Sequence, residues 1–272
     1  MHITCKGNTI DFNTPKVMGI LNITPDSFYD GGKFNSKKEI ISQTKKMLDD
    51  GATFIDVGAY SSRPNATHIS EKEELERILP IIKLLVNEFP TILISVDTFR
   101  SNIADACIKA GACMINDISG GNLDPKMFAI IAKHQIPYIL MHSKGTPQNM
   151  QDNPTYKDTI SEIASYFKNK VTVLKQLNVK DIVLDVGFGF GKTIEHNYKI
   201  LANLESFNNF NLPILVGMSR KSMLYKVLNS KPEKMLNATS IVNTIALQKG
   251  ATILRVHDVK EAMECIKLIS QL

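Results

Sequence analysis

The chain is organised around the stretch Met18-Gly-Ile-Leu-Asn-Ile-Thr-Pro-Asp-Ser-Phe-Tyr-Asp-Gly-Gly32, which has two halves. Its first half belongs to an apolar run, Val17 to Leu21, which is long enough for one buried strand. Its second half is polar and contains Pro25 and a glycine pair, so it predicts a loop. A buried strand that ends at Asn22 and opens into a loop with Asp26 is a favourable place for chemistry, although the pattern also fits an ordinary strand and surface turn.

The size and composition of the chain predict one globular domain. The chain has 272 residues, of which 43% are hydrophobic and 22% are charged, and barrels of roughly 250 residues commonly form single domains. No apolar run approaches the ~18 residues that a membrane-spanning helix needs, and the N-terminus lacks the apolar segment of a signal peptide. We therefore expect one domain over residues 1–272 in a soluble, cytoplasmic protein without a membrane partner.

Charge and cysteine spacing narrow the function classes. The net charge is +5, and the Lys and Arg residues are scattered along the chain. This distribution gives no support for nucleic-acid binding, whereas a modest positive excess suits small anionic substrates. The four cysteines form no CxxC pair and no zinc-ligand spacing. No zinc site is predicted, and we expect the cysteines to be reduced.

Eight apolar runs alternate with helical patterns after a predicted β-hairpin, His2 to Ile10 with Gly7-Asn8 in its middle. The runs are continuous, as is typical of parallel strands that are buried on both faces. The pattern predicts an α/β fold, a (β/α)8 TIM barrel with a short N-terminal β-hairpin; an open doubly wound sheet is the alternative, but no dinucleotide fingerprint follows the first strand. The predicted strands are Val17–Asn22, Thr53–Val57, Thr91–Val96, Cys113–Ile115, Pro137–Met141, Asp181–Leu184, Ile214–Val216 and Thr252–Val256.

Local signals mark the ends of the predicted helices. Gly-Ala pairs precede three strands at Gly51, Gly111 and Gly250, where each glycine is predicted to end a helix. Three capping boxes and one Asp-Pro pair are predicted to begin helices. These starts are Ser36–Glu39, Ser70–Glu73, Asp124–Pro125 and Ser230–Glu233.

Every predicted strand carries a polar residue at its C-terminal end. In a barrel these ends meet on one face, where active sites lie, so we predict a functional site there. The residues are Asn22, Asp56, Asp97, Asn116, His142, Asp185, Ser219–Lys221 and Arg255–His257.

The chemistry of these residues divides into three kinds. Asp97, Asn116 and Asp185 provide carboxylates and an amide, which suit a planar, donor-rich heterocycle such as an aminopyrimidine edge. Asn22 provides an oxygen ligand for a Mg²⁺ ion that stays mostly bound to water and phosphate. Positively charged and donor side chains suit a phosphate or carboxylate group. They are Arg63, Arg220, Lys221, Arg255 and His257.

The glycine-rich stretch Gly187–Thr193 is similar to a nucleotide-binding Walker A loop, but Val186 stands where that pattern requires glycine. We interpret it instead as a loop whose backbone approaches a ligand closely. Phe188 or Phe190 would then pack on that ligand.

Taken together, these residues resemble the dihydropteroate synthase family over nearly the whole chain. Each motif alone is weak, but all of them in the family's order are specific. The motifs are Met18–Gly32, Asp56–Pro64, Ser95–Thr98, Ile115–Gly121, Met141–His142, Leu184–Lys192, Gly217–Ser222 and Leu254–Asp258.

The resemblance implies a TIM barrel that joins 7,8-dihydropterin-6-ylmethyl diphosphate to 4-aminobenzoate. The products would be dihydropteroate and diphosphate, in the folate pathway, with Mg²⁺ as cofactor. The resemblance also implies a homodimer that sulfonamides inhibit.

The resemblance further implies the parts played by individual residues. For the pterin these are Asp97, Asn116, Met141, Asp185, Phe190 and Lys221. For the diphosphate they are Asn22, which would also hold the metal, Ser62, Arg63, Arg255 and His257. For aminobenzoate they are Phe28, Pro64, Phe190, Lys221 and Ser222. The catalytic residues would be Asp26, Arg63 and Lys221, with Asp26 facing the positive charge that develops on the methylene carbon as the diphosphate leaves.

The loop after the second predicted strand, called the second loop below, departs from the family's usual Gly-Glu-Ser-Thr-Arg-Pro. In this chain its sequence is Ala59-Tyr-Ser-Ser-Arg-Pro64. Tyr60 replaces a carboxylate, whereas Ser62 keeps the hydroxyl of the usual threonine. Two other functions remain open at this point. One is a pterin-binding methyltransferase that uses methyltetrahydrofolate, and the other is a catalytically inactive pterin-binding paralogue.

Overall fold

The structure is a computed structural model that describes residues 1–23, 33–60, 68–145, 150 and 153–272, with only the backbone of residues 33–36. A closed barrel of eight parallel strands follows a two-stranded antiparallel sheet, so the predicted (β/α)8 barrel with an N-terminal hairpin is confirmed. The hairpin strands are β1 (His2–Cys5) and β2 (Asn8–Asp11). The barrel strands are β3 (Lys16–Asn22), β4 (Phe54–Gly58), β5 (Ile94–Asp97), β6 (Met114–Asp117), β7 (Tyr138–Met141), β8 (Ile182–Asp185), β9 (Ile214–Val216) and β10 (Ile253–Val256).

Helices connect the strands and cover the outside of the barrel. Neighbouring strands follow chain order around the barrel, and β10 pairs with β3 to close it. Two 3₁₀ turns, Leu204–Phe210 and Pro232–Lys234, precede β9 and the penultimate helix. The described helices are α1 (Lys33–Asp49), α2 (Glu71–Glu88), α3 (Ser101–Lys109), α4 (Met127–His134), α5 (Thr159–Gln176), α6 (Ile194–Ala202), α7 (Ser222–Tyr225), α8 (Leu236–Gln248) and α9 (Val259–Ile269).

Alternation along each strand separates two apolar layers. Successive side chains of a strand point to opposite faces, so Phe54 of β4 lies in the barrel interior while its neighbour Ile55 packs under the helices. The interior layer is Met18, Phe54, Met114, Ile139, Val183, Leu215 and Ile253. The residues two positions further along point into the same interior, nearer the C-terminal end.

The hairpin closes the N-terminal end of the barrel. Its side chains Ile3 and Cys5, with Phe12, belong to the same buried cluster as the interior layer. Its two-residue turn is Lys6-Gly7, with φ of 49° and 76°, and not Gly7-Asn8 as the sequence suggested. Positive φ at both turn residues is the geometry whose twist matches a tight hairpin.

The helix-end predictions are partly confirmed. The glycines before β4, β6 and β10 have φ of 93–107°, as a left-handed helix end requires. Ser70 caps α2 by accepting a hydrogen bond from the N–H of Glu73 at 3.1 Å.

The other three predicted helix starts are wrong. Helix α1 begins at Lys33, three residues before Ser36. Helix α4 begins at Met127, because the Asp124 carboxylate instead accepts N–H groups from Lys126 at 2.9 Å and from Ser101, at the start of α3, at 2.7 Å. The Ser230 box is followed by a 3₁₀ turn that starts at Pro232, and α8 begins only at Leu236. In the described part of the chain, none of the helices combines the length and hydropathy required to span a bilayer.

Candidate active site

A buried network at the C-terminal end of the barrel joins three of the predicted site residues through Asp56. Arg255 donates from Nε to Asp56 Oδ2 at 2.7 Å and from a terminal nitrogen to Asp97 Oδ2 at 3.1 Å. Asn116 donates from Nδ2 to the same Asp56 oxygen at 2.9 Å. The barrel brings these residues together because all of them point inward near the ends of β4, β5, β6 and β10.

This network contains acceptor atoms without a partner. Within the described residues, Asp56 Oδ1 and Asn116 Oδ1 are buried and accept no hydrogen bond. The amide of Asn116 cannot be reversed without losing its bond to Asp56, so its free atom is an acceptor. Buried unpaired acceptors are costly. The site is therefore suited to a ligand, or to water, that brings N–H or O–H donors.

The charges in this network oppose one another. Burial, together with the nearby negative charge of Asp56, raises the pKa of Asp97 to about 7, although Arg255 acts in the opposite direction. Burial also disfavours the charge of Arg255, but the carboxylates of Asp56 and Asp97 outweigh it and raise the pKa of Arg255. Two carboxylates thus share one guanidinium.

A second group lies at the end of β8 and on the loop that follows β9. Asp185 accepts a hydrogen bond from the N–H of Gly187 at 2.7 Å, and burial raises its pKa although the charge of Lys221 opposes the shift. Burial lowers the pKa of Lys221 to about 8, against the effect of Asp185. The ammonium of Lys221 donates to the carbonyl of Phe188 and lies 4.6 Å from the ring centroid of Phe190. Asp185, Lys221 and Phe190 are therefore brought together, as predicted.

An apolar wall borders these polar groups. Met141 is 2% exposed and belongs to a small cluster on which Phe190 packs. Tyr60, the departure in the second loop, belongs to the same cluster: its ring lies edge-on to Phe99 with centroids 5.1 Å apart, and its hydroxyl lies 3.2 Å from His68 Nδ1. Tyr60 thus extends the apolar wall, and the guanidinium of Arg100 lies 5.6 Å from the centroid of its ring.

Two of the predicted phosphate-binding residues, His257 and Arg220, lie outside this buried network and have partners of their own. His257 is exposed, and its Nδ1 lies 2.9 Å from the hydroxyl of Ser219. Because that hydroxyl also accepts the backbone N–H of His257 at 3.3 Å, it is oriented to donate to Nδ1, which favours a proton on Nε2. Arg220 is committed elsewhere, since two of its nitrogens donate to Asp258 at 2.6 and 3.1 Å.

Among the described residues, two further predicted ones have no hydrogen bond to this network. Asn22 is half-buried at the end of β3, and Ser222 is the first residue of the four-residue helix α7. The described residues contain no cluster of three or more His, Cys, Asp or Glu side chains that could hold a metal. A single amide oxygen fits Mg²⁺ only as one ligand among waters and phosphate oxygens. Five predicted residues lie outside the described residues: Asp26, Phe28, Ser62, Arg63 and Pro64.

The partners of three groups that organise this end of the barrel were not predicted from the sequence, and these groups are Asp56, His142 and Lys192. Asp56 joins Arg255 to Asn116, as described above. His142 follows the inward-pointing Met141, so strand alternation places it outside the interior, where its Nδ1 lies 3.0 Å from the ammonium of Lys192. Strand parity, read from the sequence, could have separated His142 from the inward residues. Nothing in the sequence indicated its partner fifty positions away.

Comparison with known proteins adds a family. The model of the pterin binding enzyme family matches residues 18–257. The dihydropteroate synthase of Escherichia coli is 42% identical over 271 residues, which cover 99% of this chain and 95% of that one. A crystal structure of the Yersinia pestis dihydropteroate synthase in a sulfonamide drug complex superposes with a TM-score of 0.93 at 41% identity, over 100% of this chain and 98% of the other. The structure of a Xanthomonas albilineans dihydropteroate synthase with 4-aminobenzoic acid superposes with a TM-score of 0.92 at 32% identity, over 99% of this chain and 97% of the other.

Proposed function

Because the chain belongs to the family of pterin binding enzymes, we propose that it is a dihydropteroate synthase that joins 7,8-dihydropterin-6-ylmethyl diphosphate to 4-aminobenzoate. The amino nitrogen of aminobenzoate bonds to the methylene carbon, the bond from that carbon to the diphosphate oxygen breaks, and one proton leaves the nitrogen. The products are 7,8-dihydropteroate and diphosphate. The enzyme is a transferase of folate biosynthesis.

The observation that carries this proposal is the set of buried acceptors beside an apolar wall. Asp97, Asn116 and Asp185 present carboxylate and amide oxygens at inward positions of three different strands, and Asn116 Oδ1 has no partner among the described residues. The pterin ring has a row of N–H donors along one edge, which these oxygens match. Its flat faces suit the thioether of Met141 and the ring of Phe190.

Arg255 has donors left for the leaving diphosphate. A guanidinium has five N–H groups, of which one is used on Asp56 and one on Asp97. The other N–H groups remain for diphosphate oxygens, and the carboxylates of Asp56 and Asp97 hold the guanidinium in place while it binds. In the proposed site His257 adds a donor from Nε2, and Arg63 and Ser62 complete the set from the second loop.

Asn22 and oxygens of the diphosphate would hold the proposed metal. Mg²⁺ bound there would neutralise negative charge on the diphosphate. The proposed charge stabiliser for the methylene carbon is Asp26, on the loop after β3. Lys221 is proposed to act on both substrates, and the contacts of its ammonium with the Phe188 carbonyl and the Phe190 ring support a place beside both. Phe28, Pro64, Phe190 and Ser222 line the aminobenzoate position in this proposal.

One assay tests the function against its rivals. Diphosphate release is measured with both substrates and Mg²⁺, and then with each component omitted. We expect release that requires aminobenzoate as well as the pterin diphosphate. A protein that releases no diphosphate but binds pterin would be an inactive paralogue. One that instead transfers a methyl group from methyltetrahydrofolate to a corrinoid would be a methyltransferase, and either result overturns the proposal.

We also propose that the enzyme is a cytoplasmic homodimer, and an apolar surface supports the dimer. A groove of about 530 Å³ lies outside the barrel against α6, α7 and α8. Several large apolar side chains are exposed along it, among them Val227 at 50%, Leu228 at 56% and Ile241 at 53%. Contiguous exposed apolar patches mark interaction surfaces, and a self-complementary patch forms a twofold dimer.

Light scattering tests this interface. We expect twice the mass of one chain for the unaltered protein and a single-chain mass for a Leu228→Asp, Ile241→Asp double variant. The matched control is Leu268→Asp, which alters an apolar side chain that is 72% exposed on α9. A monomeric unaltered protein, or a double variant that remains dimeric, would contradict the proposed interface.

A further inference from the structure

Lys192, in the glycine-rich loop after β8, is buried, with only 3% of its surface exposed. Lysine is rarely buried unless its ammonium is paired. Four acceptor atoms surround its Nζ at hydrogen-bond distance. They are His142 Nδ1 at 3.0 Å, the His142 carbonyl at 3.2 Å, the Gly187 carbonyl at 2.9 Å and the Phe190 carbonyl at 3.0 Å.

The groups around the Lys192 nitrogen accept hydrogen bonds, whereas burial opposes its charge. Carbonyl oxygens accept hydrogen bonds and cannot donate them, so the lysine must supply the protons, and an ammonium has three. Burial lowers the pKa of His142 to about 2, so its imidazole is neutral and Nδ1 is available as an acceptor. Burial lowers the pKa of Lys192 to about 7, whereas the negative charge of Asp185 acts in the opposite direction.

The loop backbone is shaped around this lysine. Gly187 has a φ of 68°, and a Cβ there would lie 2.0 Å from the carbonyl oxygen of His142. Gly191 has a φ of 62°, and its Cβ would lie 2.3 Å from the carbonyl oxygen of Lys144. Only glycine allows the loop to approach the end of β7 so closely, and Lys192 ties the two segments together from within.

The same loop carries the groups that the proposed site requires. Phe188 is buried and its carbonyl accepts a hydrogen bond from Lys221, while the Phe190 ring lies 4.6 Å from the same ammonium. The Phe190 carbonyl itself accepts a hydrogen bond from Lys192. A change at Lys192 is therefore transmitted to Phe190 and Lys221 through the backbone between them.

We propose that Lys192 is a positioning residue of the pterin site, whose ammonium binds the glycine-rich loop to His142 and thereby sets the places of Phe190 and Lys221. This inference rests on the proposed function. Lys192 does not contact the pterin in this account, and it acts through Phe190. The loop thus uses its lysine inward, toward its own backbone, where a Walker A loop would use it on a phosphate.

Pterin affinity measures this positioning. Titration calorimetry with 6-hydroxymethylpterin is carried out on the unaltered protein and on Lys192→Met, which keeps the length of the side chain and removes its donors and charge. We expect affinity to fall about tenfold, because Phe190 and Lys221 are then no longer held in place. The matched control is Lys199→Met, because Lys199 is half-exposed on the neighbouring helix α6 and pairs with Asp158.

A double-mutant cycle separates positioning from a purely structural part. In a Phe190→Ala background, Lys192→Met should cost much less pterin affinity than it does alone, because the group through which it acts is gone. All titrations are made well below the melting temperature of each variant. Additive losses in the cycle, or an unchanged affinity in Lys192→Met, would overturn the inference.

Two further results keep the test decisive. If Lys192→Met fails to fold, His142→Leu removes one of the four acceptors and enters the same cycle with Phe190→Ala, with the same expectation. If the unaltered protein itself binds no pterin, the proposed function fails. If the unaltered protein and Lys192→Met bind pterin equally well, only the inference about Lys192 fails.

Discussion

Phe54 and Asp56 on β4 are two positions apart, as are Val183 and Asp185 on β8, and both members of each pair point into the same barrel interior. The first member of each pair belongs to an apolar layer that the N-terminal hairpin covers. The second belongs to the polar end. The same strands therefore supply a packed core at one end of the barrel and a charged cavity at the other.

The difference between the two ends is energetic as well as chemical. The apolar layer stabilises the fold by burial, and Ser95, which pairs with Met114, adds one buried hydroxyl to it that has no partner among the described residues. At the polar end, burial raises the pKa values of Asp97 and Asp185, so the ionised carboxyls cost stability before any ligand arrives. Substitutions at one end should therefore affect folding, and substitutions at the other should affect binding.

The largest expected effect is at the apolar end. Phe54 is fully buried in the interior layer, and Phe54→Ala should lower the free energy of unfolding by about 3–5 kcal/mol through lost burial and a cavity. Urea denaturation measures it. The control Leu268→Ala, at a side chain that is 72% exposed, should change stability by less than about 0.5 kcal/mol. A loss below about 1 kcal/mol in Phe54→Ala would show that the interior layer is not a packed core.

The next effect is on binding at the polar end. Asp185→Asn replaces two acceptors with one acceptor and one donor, so pterin N–H groups lose a partner at about 1–3 kcal/mol of binding free energy. Stability should not fall, because burial already disfavours the charge of Asp185.

Calorimetric titration with a pterin measures the effect of Asp185→Asn. The matched control is Asp181→Asn, just before the N-terminal end of β8, where the carboxylate accepts the N–H of Thr4 at 3.2 Å. That variant should leave pterin affinity unchanged. Unchanged affinity in Asp185→Asn would remove Asp185 from the pterin site.

A smaller effect is the dependence of stability on pH. The pKa of Asp97 is about 7 in the folded protein, against an ordinary value of 3.8, so between these values the folded state binds more protons than the unfolded state. Stability should therefore fall as pH rises from about 4 to about 7, and Asp97 contributes at most about 1.4 kcal/mol per pH unit. Denaturant titrations across this range should give a shallower slope for Asp97→Asn. An exposed-site control, Asp49→Asn, should keep the slope of the unaltered protein. Equal slopes in all three proteins would contradict a buried, destabilised Asp97.

The last prediction is that ATP does not bind to the glycine-rich loop. The ammonium of Lys192 is surrounded by protein acceptors, and the hydroxyl of Thr193 caps α6 by accepting the N–H of His196 at 3.2 Å. Neither group is available to a nucleotide phosphate, so ATP should show no saturable binding. Micromolar binding that is lost in Lys192→Ala would contradict this interpretation of the loop.

Strand patterns carried most of what the sequence could predict. Continuous apolar runs and Gly-Ala pairs identified the barrel, and a polar residue at each strand end identified the face where the site lies. Alternation also explains why Asp97 and Asn116 meet, since they are neighbours in the registered pair β5 and β6. These inferences succeed because strand period and barrel geometry are local rules with one spatial outcome.

Contacts between distant segments could not be predicted. Glu74, on α2, is fully buried and binds Arg100 at 2.6 Å, although its position in the sequence is that of an ordinary surface residue in the first turn of a helix. The Lys192–His142 contact joins two loops whose distance only the folded barrel sets. Capping boxes failed at Ser36 and Ser230 because a four-residue pattern does not determine how far a helix extends in its tertiary setting.

A crystal structure of the complex with 7,8-dihydropteroate would show whether the inward residues at the C-terminal strand ends hold the pterin. We predict that the ring edge lies within hydrogen-bond distance of Asp97, Asn116 and Asp185, with the aminobenzoate part of the product extending past Phe190 toward Ser222. A product bound with none of the three oxygen-bearing side chains in hydrogen-bond contact would contradict the account.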